Sequence, residues 1–342
     1  MYTAKFGGTA TAPHNLKYVL SLIDDNMGAV VVSACGRSFD GDEKVTDLLN
    51  LFYVTHDEMV WRKIETKYRR LVEINGINID IDKLLAEKKR NMCGNGRAYY
   101  LSVGEELTAK CVAAATGREY VEAADFICFD EGGRFDCRET KRRVETLANQ
   151  KFVVGGFYGG KRDGGRATFE RGGGDISGAI FAVWTSATLY ENYTDVDGVC
   201  VANPRCVFCP KVLPQISYGQ MRLLGSCGAE VLHPSAVDLP QKAALPLVVK
   251  NFWGSCGTTV YNYPCVDDVV SVTCRKTDGL YVTSVLHNLP DMGARAIADI
   301  ARDVKNCVAR CELNRDISKI YASQTLPSKH TTHFSKRSAA LS

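Results

Sequence analysis

The chain has no apolar stretch near the roughly 18 residues that a membrane-spanning helix needs, so no span is expected. Its start carries no basic segment followed by an apolar one, so no secretory signal is read. An excess of one charge is missing too. Lys and Arg number 42 against 39 Asp and Glu, a net charge of +3 with a pI near 8.1. Such a balance gives nucleic acid no electrostatic footing. There is no internal repeat, and no G-x-x-x-x-G-K-[ST] phosphate loop. Cys206-x-x-Cys209 has no second pair at zinc-finger spacing, which argues against structural zinc. The 14 cysteines are scattered, many in apolar periodic segments such as those around Cys111, Cys128 and Cys200. A chain of 342 residues needs no disulfide scaffold, so they read as reduced thiols of a cytoplasmic protein. Cys307 and Cys311, four apart, read as packing positions on one helix.

What is present starts at Lys5-Phe6-Gly7-Gly8-Thr9, directly after a short apolar strand pattern. A lysine followed by two glycines at a strand end offers an ammonium and backbone amides unobstructed by Cβ atoms, the chemistry a polyphosphate requires. Three further segments ask for the same chemistry. Glu170-Arg171-Gly172-Gly173-Gly174-Asp175 leads into a helix, so it reads as an anion cradle with a carboxylate for a cation and a planar guanidinium for a carboxylate, or else as a glycine-rich turn with an N-cap Asp and a surface Arg. Thr194-Asp195-Val196-Asp197-Gly198 with Asn203-Pro204-Arg205 suits nucleotide contacts at the carboxyl edge of a sheet, or else a plain Asp-Gly turn. Gly228 to Pro234 closes a helix, and His233 within it reads as a structural hydrogen-bonder.

Periodicity predicts strands at 2–6, 29–34, 120–123, 152–157, 189–193 and 247–251, with helices at 45–56, 98–115, 177–186 and 218–227. Strands separated by helices imply a mainly parallel sheet covered on both faces. The stretch 158–174 holds seven glycines and reads as a mobile loop over a site. Lys88-Lys89-Arg90 and Lys141-Arg142-Arg143 read as solvated helix faces. After about 260 come two strand patterns, 269–275 and 280–286, a helical stretch at 293–308 and a polar tail.

Taken in order, these motifs resemble the aspartate kinases of the amino-acid-kinase family over roughly 2–260. The carriers are Lys5–Thr9, Val30–Ala34, Lys44–Asp47, Gly104-Glu105, Gly156-Phe157, Arg171–Asp175, Thr194–Arg205 and Gly228–Pro234. The resemblance implies an α/β three-layer αβα sandwich with a mainly parallel central sheet, plus a short C-terminal α+β remnant similar to an ACT module. It divides the chain into a catalytic domain (1–260), a partial ACT-like unit for regulation or association (261–325) and a disordered tail (326–342). The implied reaction is transfer of a phosphoryl group from ATP, with Mg2+, to the side-chain carboxylate of L-aspartate, the first step toward lysine, threonine and methionine. The implied catalytic residues are Lys5, Gly8 and Asp175. Ala34, Thr46, Glu105, Phe157, Arg171 and Gly174 would bind the amino acid, with Arg171 on its α-carboxylate and Glu105 on its α-ammonium. Lys5, Gly7, Gly8, Ser33, Thr194, Asp195, Cys200, Arg205 and Glu230 would hold the nucleotide, and Gly173 would lend an amide to the moving phosphoryl group. No resident metal site is implied. A homo-oligomer, most simply a dimer, is expected.

Departures from the family pattern are also visible. Ala10 and Gly174 replace serines, Cys200 replaces a tyrosine and Glu230 replaces a lysine, the last two on the nucleotide side. The alternatives are another carboxylate kinase of the same fold and a non-catalytic paralogue that binds small molecules. Glu105 with Arg171 speaks against the first, because both ends of an amino acid are read. Retention of Lys5, Glu105, Arg171 and Asp175 speaks against the second.

Overall fold

The computed structural model describes residues 1–39, 41–170, 172–200, 210–226, 232–254 and 256–262, and four strands beyond them. In chain order the elements are β1 (Tyr2–Phe6), α1 (Leu16–Leu22), β2 (Met27–Val32), α2 (Val45–Thr55), α3 (Glu58–Ile74), α4 (Ile81–Met92) and α5 (Arg97–Thr116). Then follow β3 (Glu119–Val121), α6 (Ala123–Phe126), β4 (Cys128–Phe129), α7 (Cys137–Val144), β5 (Phe152–Gly155), β6 (Tyr158–Lys161), β7 (Arg166–Thr168) and α8 (Gly173–Trp184). The remainder is β8 (Tyr190–Thr194), β9 (Gln215–Ser217), α9 (Tyr218–Ser226), α10 (Asp238–Lys242), β10 (Leu247–Asn251) and β11 (Gly257–Tyr261).

Eight strands form one sheet in the order β3-β5-β2-β1-β8-β10-β11-β9, parallel except for the β10–β11 pair. The alternation of strand side chains builds the layers. Ala4, Phe6, Val30, Val32 and Val153 enter a core shared with α2, α3 and α5. Ala29, Val31, Phe152 and Val154, the residues between, enter a second core with α7 and α8. A third core lies under β10 and β11 with α8 and α9. This is the three-layer α/β architecture expected from the strand and helix pattern. From β1 the chain winds outward through β2, and it later returns to place β8 on the opposite side of β1. The strand order therefore reverses at β1, and the crevice at the carboxyl ends of β1, β2 and β8 is where an open α/β sheet offers a binding site.

Several expectations are corrected. The stretch 158–174 is largely a β-hairpin, β6 and β7, joined to β4 in a three-stranded sheet. Two of its glycines serve packing. A Cβ at Gly159 would sit 2.3 Å from the Ile127 carbonyl oxygen, and one at Gly160 2.3 Å from that of Ala124. Lys88 is buried, not solvated, because its ammonium meets Glu106 at 2.5 Å. Helix α8 begins at Gly173, four residues earlier than the periodicity suggests, so Gly173 and Gly174 lie inside its first turn. Cys311 belongs to a strand. Beyond 268 the described strands are β12 (Val269–Thr277), β13 (Leu280–His287), β14 (Val308–Glu312) and β15 (Ile317–Ala322), an antiparallel sheet in the order β12-β13-β15-β14. The expected helix at 293–308 lies outside the described residues except for Val308, which opens β14, and the expected tail at 326–342 lies wholly outside them. Among the described residues no helix is long and apolar enough to cross a membrane.

Candidate active site

Lys5 and Asn192 are paired across the β1–β8 ladder. Register neighbours in parallel strands project to the same face, so both side chains reach the same side of the sheet. There they meet Asp175, the third residue of α8. Lys5 Nζ lies 2.7 Å from Asp175 Oδ1, and Asn192 Nδ2 donates to the same oxygen at 2.9 Å. The His233 backbone N–H approaches Oδ2 at 3.5 Å. Burial opposes ionisation of Asp175, but the Lys5 charge and hydrogen bond, Asn192 and the His233 amide together hold its carboxyl below the ordinary range. Its carboxylate is thus engaged by Lys5, Asn192 and the His233 amide, which holds the Lys5 ammonium in place.

The glycines around this pair have distinct causes. Gly172 has φ 64°, and a Cβ there would sit 2.1 Å from His233 Cβ. A Cβ at Gly173 would meet Phe157 and Phe169 within 3.0 Å. Gly174 is tight against Lys5 Cε and Ser33 Oγ, each 3.3 Å from a Cβ built there. Gly7 and Gly8 differ: added Cβ atoms would make only ordinary contacts at 3.5–3.8 Å. Protein packing does not demand glycine at those two positions, and its absence of side chain leaves the β1 end open for close approach by a ligand. The Gly7 N–H donates to the Tyr193 carbonyl at 3.0 Å, which ties this turn to β8.

Opposite Lys5 stands Glu105 on α5. Every residue from Tyr100 to Ala109 of that helix is buried, two consecutive glutamates included. Gly104 allows the helix to close on the β2 end, since a Cβ there would lie 2.7 Å from Ala34 Cβ. Burial drives the Glu105 carboxyl up to about 8, against the partial offset of the Ala34 backbone amide and its own. Its Oε2 is buried without a hydrogen-bond partner. A buried acceptor in that state costs free energy, about 1–3 kcal/mol, unless a donor arrives. Phe157 adopts φ 80°, a conformation costing about 1–3 kcal/mol for a bulky residue. It is held there by Ser177 Oγ on its N–H at 3.0 Å and by Phe169 N–H on its carbonyl at 2.9 Å.

Lys5, Ser33, Thr46, Glu105, Phe157, Gly172, Gly173, Gly174 and Asp175 line one cavity of about 260 Å3. Eight of these were singled out from the sequence; Gly172 lay within a quoted motif without a role of its own. Ala34 sits behind Glu105 and does not line the cavity. Thr194 and Asp195 lie at the end of β8, where Asp195 accepts from Thr9 Oγ1 and Thr194 Oγ1, both at 3.2 Å. Cys200 is half-buried in an antiparallel bridge with Val212. Arg171, Arg205 and Glu230 lie outside the described residues. Sequence reasoning missed Asn192, Ser177 and Tyr190, whose hydroxyl donates to the Asp175 carbonyl at 3.1 Å. The signal for Asn192 was the polar pair Glu191-Asn192 between two tyrosines of a central strand.

The model of the amino acid kinase family matches residues 4–251. The chain belongs to the amino acid kinase family. Among its family relatives, aspartokinase 3 of Bacillus subtilis is 33% identical over 278 residues, covering 73% of this chain and 61% of that protein. The aspartokinase of Chlamydia pneumoniae is 30% identical over 293 residues, covering 79% and 64%. The chain thus spans about three-fifths of the length of these curated relatives. Among solved structures, the aspartate kinase of Clostridium acetobutylicum superposes with a TM-score of 0.78 at 27% identity, over 100% of this chain and 82% of that one. Aspartokinase III of E. coli, in complex with aspartate and ADP, superposes at 0.67 with 18% identity, over 95% and 79%, a likeness of fold.

Proposed function

We propose that this amino acid kinase phosphorylates the side-chain carboxylate of L-aspartate with ATP. The observation that carries the reading is one small cavity with opposite chemistry on its two walls: the Lys5–Asp175 pair with a glycine-bearing helix N-terminus on one, and buried Glu105 with a bare carboxylate oxygen on the other. Relatives and a superposing structure that carry the aspartokinase name support it.

Donor and acceptor are both anions, so the protein's work is to neutralise and align. Lys5, fixed by Asp175, screens the transferring phosphoryl group. The amides of Gly8 and Gly173 take its oxygens, the last aided by the positive end of α8; the Gly7 amide, expected to join them, is committed to the Tyr193 carbonyl, so Gly7 serves by leaving the turn open. Glu105 receives the acceptor's α-ammonium, and Arg171 its α-carboxylate. Thr46, Phe157 and Gly174 shape the space between, while Ala34, expected to do the same, instead supports Glu105 through its backbone amide. Thr194, Asp195, Cys200, Arg205 and Glu230 form the nucleotide side, with Ser33 at the junction. The acceptor carboxylate is ionised at neutral pH, so no general base is required.

Mg2+ fits this donor set as a companion of the nucleotide. Among the described residues no three potential ligands cluster, and Asp175 Oδ2 has only one long contact, so Asp175 would contribute one carboxylate and the phosphates and water the rest. A magnesium ion would neutralise phosphate charge alongside Lys5. The reading also places the protein in the cytoplasm, where ATP and aspartate occur together, as a homodimer whose segment 261–325 serves association or regulation. Trapping the product with hydroxylamine tests the acceptor chemistry. An acyl phosphate yields a hydroxamate, and ATP consumption without hydroxamate would overturn the assignment.

A further inference from the structure

Buried Glu106, next to Glu105, does not line the cavity and belongs instead to a part-buried ionic cluster. Its Oε1 meets Lys88 at 2.5 Å and Lys110 at 2.8 Å, and its Oε2 accepts from Arg166 Nη2 at 2.8 Å. Arg166 is on β7 and extends the cluster. Its Nη1 donates to Ser102 Oγ at 2.9 Å, and Nη2 also reaches Glu122 Oε2 at 3.1 Å. Its guanidinium carbon lies 4.7 Å from the Tyr99 ring centroid and 4.8 Å from that of Tyr158. Glu122 is further held by the hydroxyls of Tyr158 at 2.7 Å and Tyr120 at 2.8 Å. One guanidinium thus joins α5, through Ser102 and Glu106, to the hairpin that carries it.

The connectivity gives this cluster a consequence for the cavity. The hairpin begins directly after Phe157 and ends shortly before Gly172, and both are cavity walls. Its closing bond runs from Phe169 N–H to the Phe157 carbonyl at 2.9 Å. The opposite wall, Glu105, is the neighbour of Glu106 on α5. We propose that Arg166 is a positioning residue: it clamps the hairpin to α5 and so sets the separation between Glu105 and the Phe157–Gly174 wall of the acceptor pocket. A cluster whose centre, Glu106 and Lys88, is buried and whose rim, Arg166, Lys110 and Glu122, is part-buried is an expensive way to stabilise a fold, since apolar side chains would serve as well. What its fork and stacking geometry provides is a fixed distance and angle between two elements.

The proposal rests on the acceptor-pocket reading above, and its test separates the two. Arg166→Met preserves bulk and leaves no orphan anion, because Glu106 keeps Lys88 and Lys110 and Glu122 keeps two tyrosine hydroxyls. The Michaelis constant for aspartate should rise about tenfold or more, the scale for a misplaced binding wall, while that for ATP changes less than about twofold. Arg166→Lys, which keeps charge but not the fork, should fall between Met and wild type, and it serves as the folded variant if Met does not fold. Amide hydrogen exchange needs no substrate. In either variant the Phe169 and Gly160 amides should exchange about tenfold faster or more, with the β2 amides unchanged. Wild-type protein that ignores aspartate would overturn the acceptor reading and leave exchange to decide the clamp. Unchanged exchange in the hairpin, or equal rises in both Michaelis constants, would overturn the clamp itself.

Discussion

Replacing Glu105 by Gln preserves the side chain's shape and removes its charge. With the wild-type carboxyl at about 8, roughly one tenth of empty pockets carry the anion at pH 7, and ionising the rest costs about 1.4 kcal/mol. An ammonium-bearing acceptor binds the ionised form, so the wild-type Michaelis constant for aspartate should fall about tenfold from pH 6 to pH 7 and level off above about pH 8. In Glu105→Gln that dependence disappears. The constant should also rise about 30-fold or more, because a buried charged partner lost to a bound ion costs about 2–5 kcal/mol. Stability moves the other way. The folded value lies above the ordinary 4.5, so the group's contribution is fully present below the ordinary carboxylate range and is lost as pH rises toward about 8. The Gln variant lacks that loss and should melt above wild type at pH 8, with the gap closing near pH 5. Initial rates against aspartate at four pH values, with melts in the same buffers, check both halves. A Gln variant whose Michaelis constant stays within threefold of wild type, or retains the pH slope, would refute the role given to Glu105.

Lys5→Ala should leave circular dichroism unchanged and lower turnover by about three orders of magnitude or more, the range for losing a preorganised cation in phosphoryl transfer; near-normal turnover contradicts it. Asp175→Asn should lower both turnover and stability, because Lys5 then remains buried without its anion at a cost of about 3–5 kcal/mol, read as a shift in urea midpoint. Gly172→Ala forces a side chain into the left-handed region and against His233, so it should cost more than about 1 kcal/mol in the same denaturation assay.

The central strands and the glycine motifs were legible because local rules decide them. An apolar run such as 29–34, broken only by Ser33 just past the strand end, has few fates other than a strand buried on both faces, and a lysine before two glycines at a strand end has few chemical uses. What stayed hidden depends on partners distant in sequence. Lys88 looks like part of a solvated basic run until α4 meets α5 and presents it to Glu106. The glycines of 158–165 look like mobility, yet Gly159 and Gly160 answer to the carbonyls of Ile127 and Ala124, which no local pattern reveals. Cys311 reads as helical from its spacing to Cys307, whereas ladder pairing with β15 makes it a strand residue. Among the site residues, Asn192 escaped notice because its value lies in the β1–β8 register, which sets it beside Lys5.

The measurement closest to the central claim is ADP release by the purified chain with ATP and Mg2+, comparing aspartate, glutamate and acetylglutamate as acceptors beside a Lys5→Ala control. The account predicts release that depends on aspartate, is far weaker with the two longer acceptors, and vanishes in the control. Folded wild-type protein that releases ADP with glutamate or acetylglutamate in preference to aspartate, or with none of the three, would contradict it.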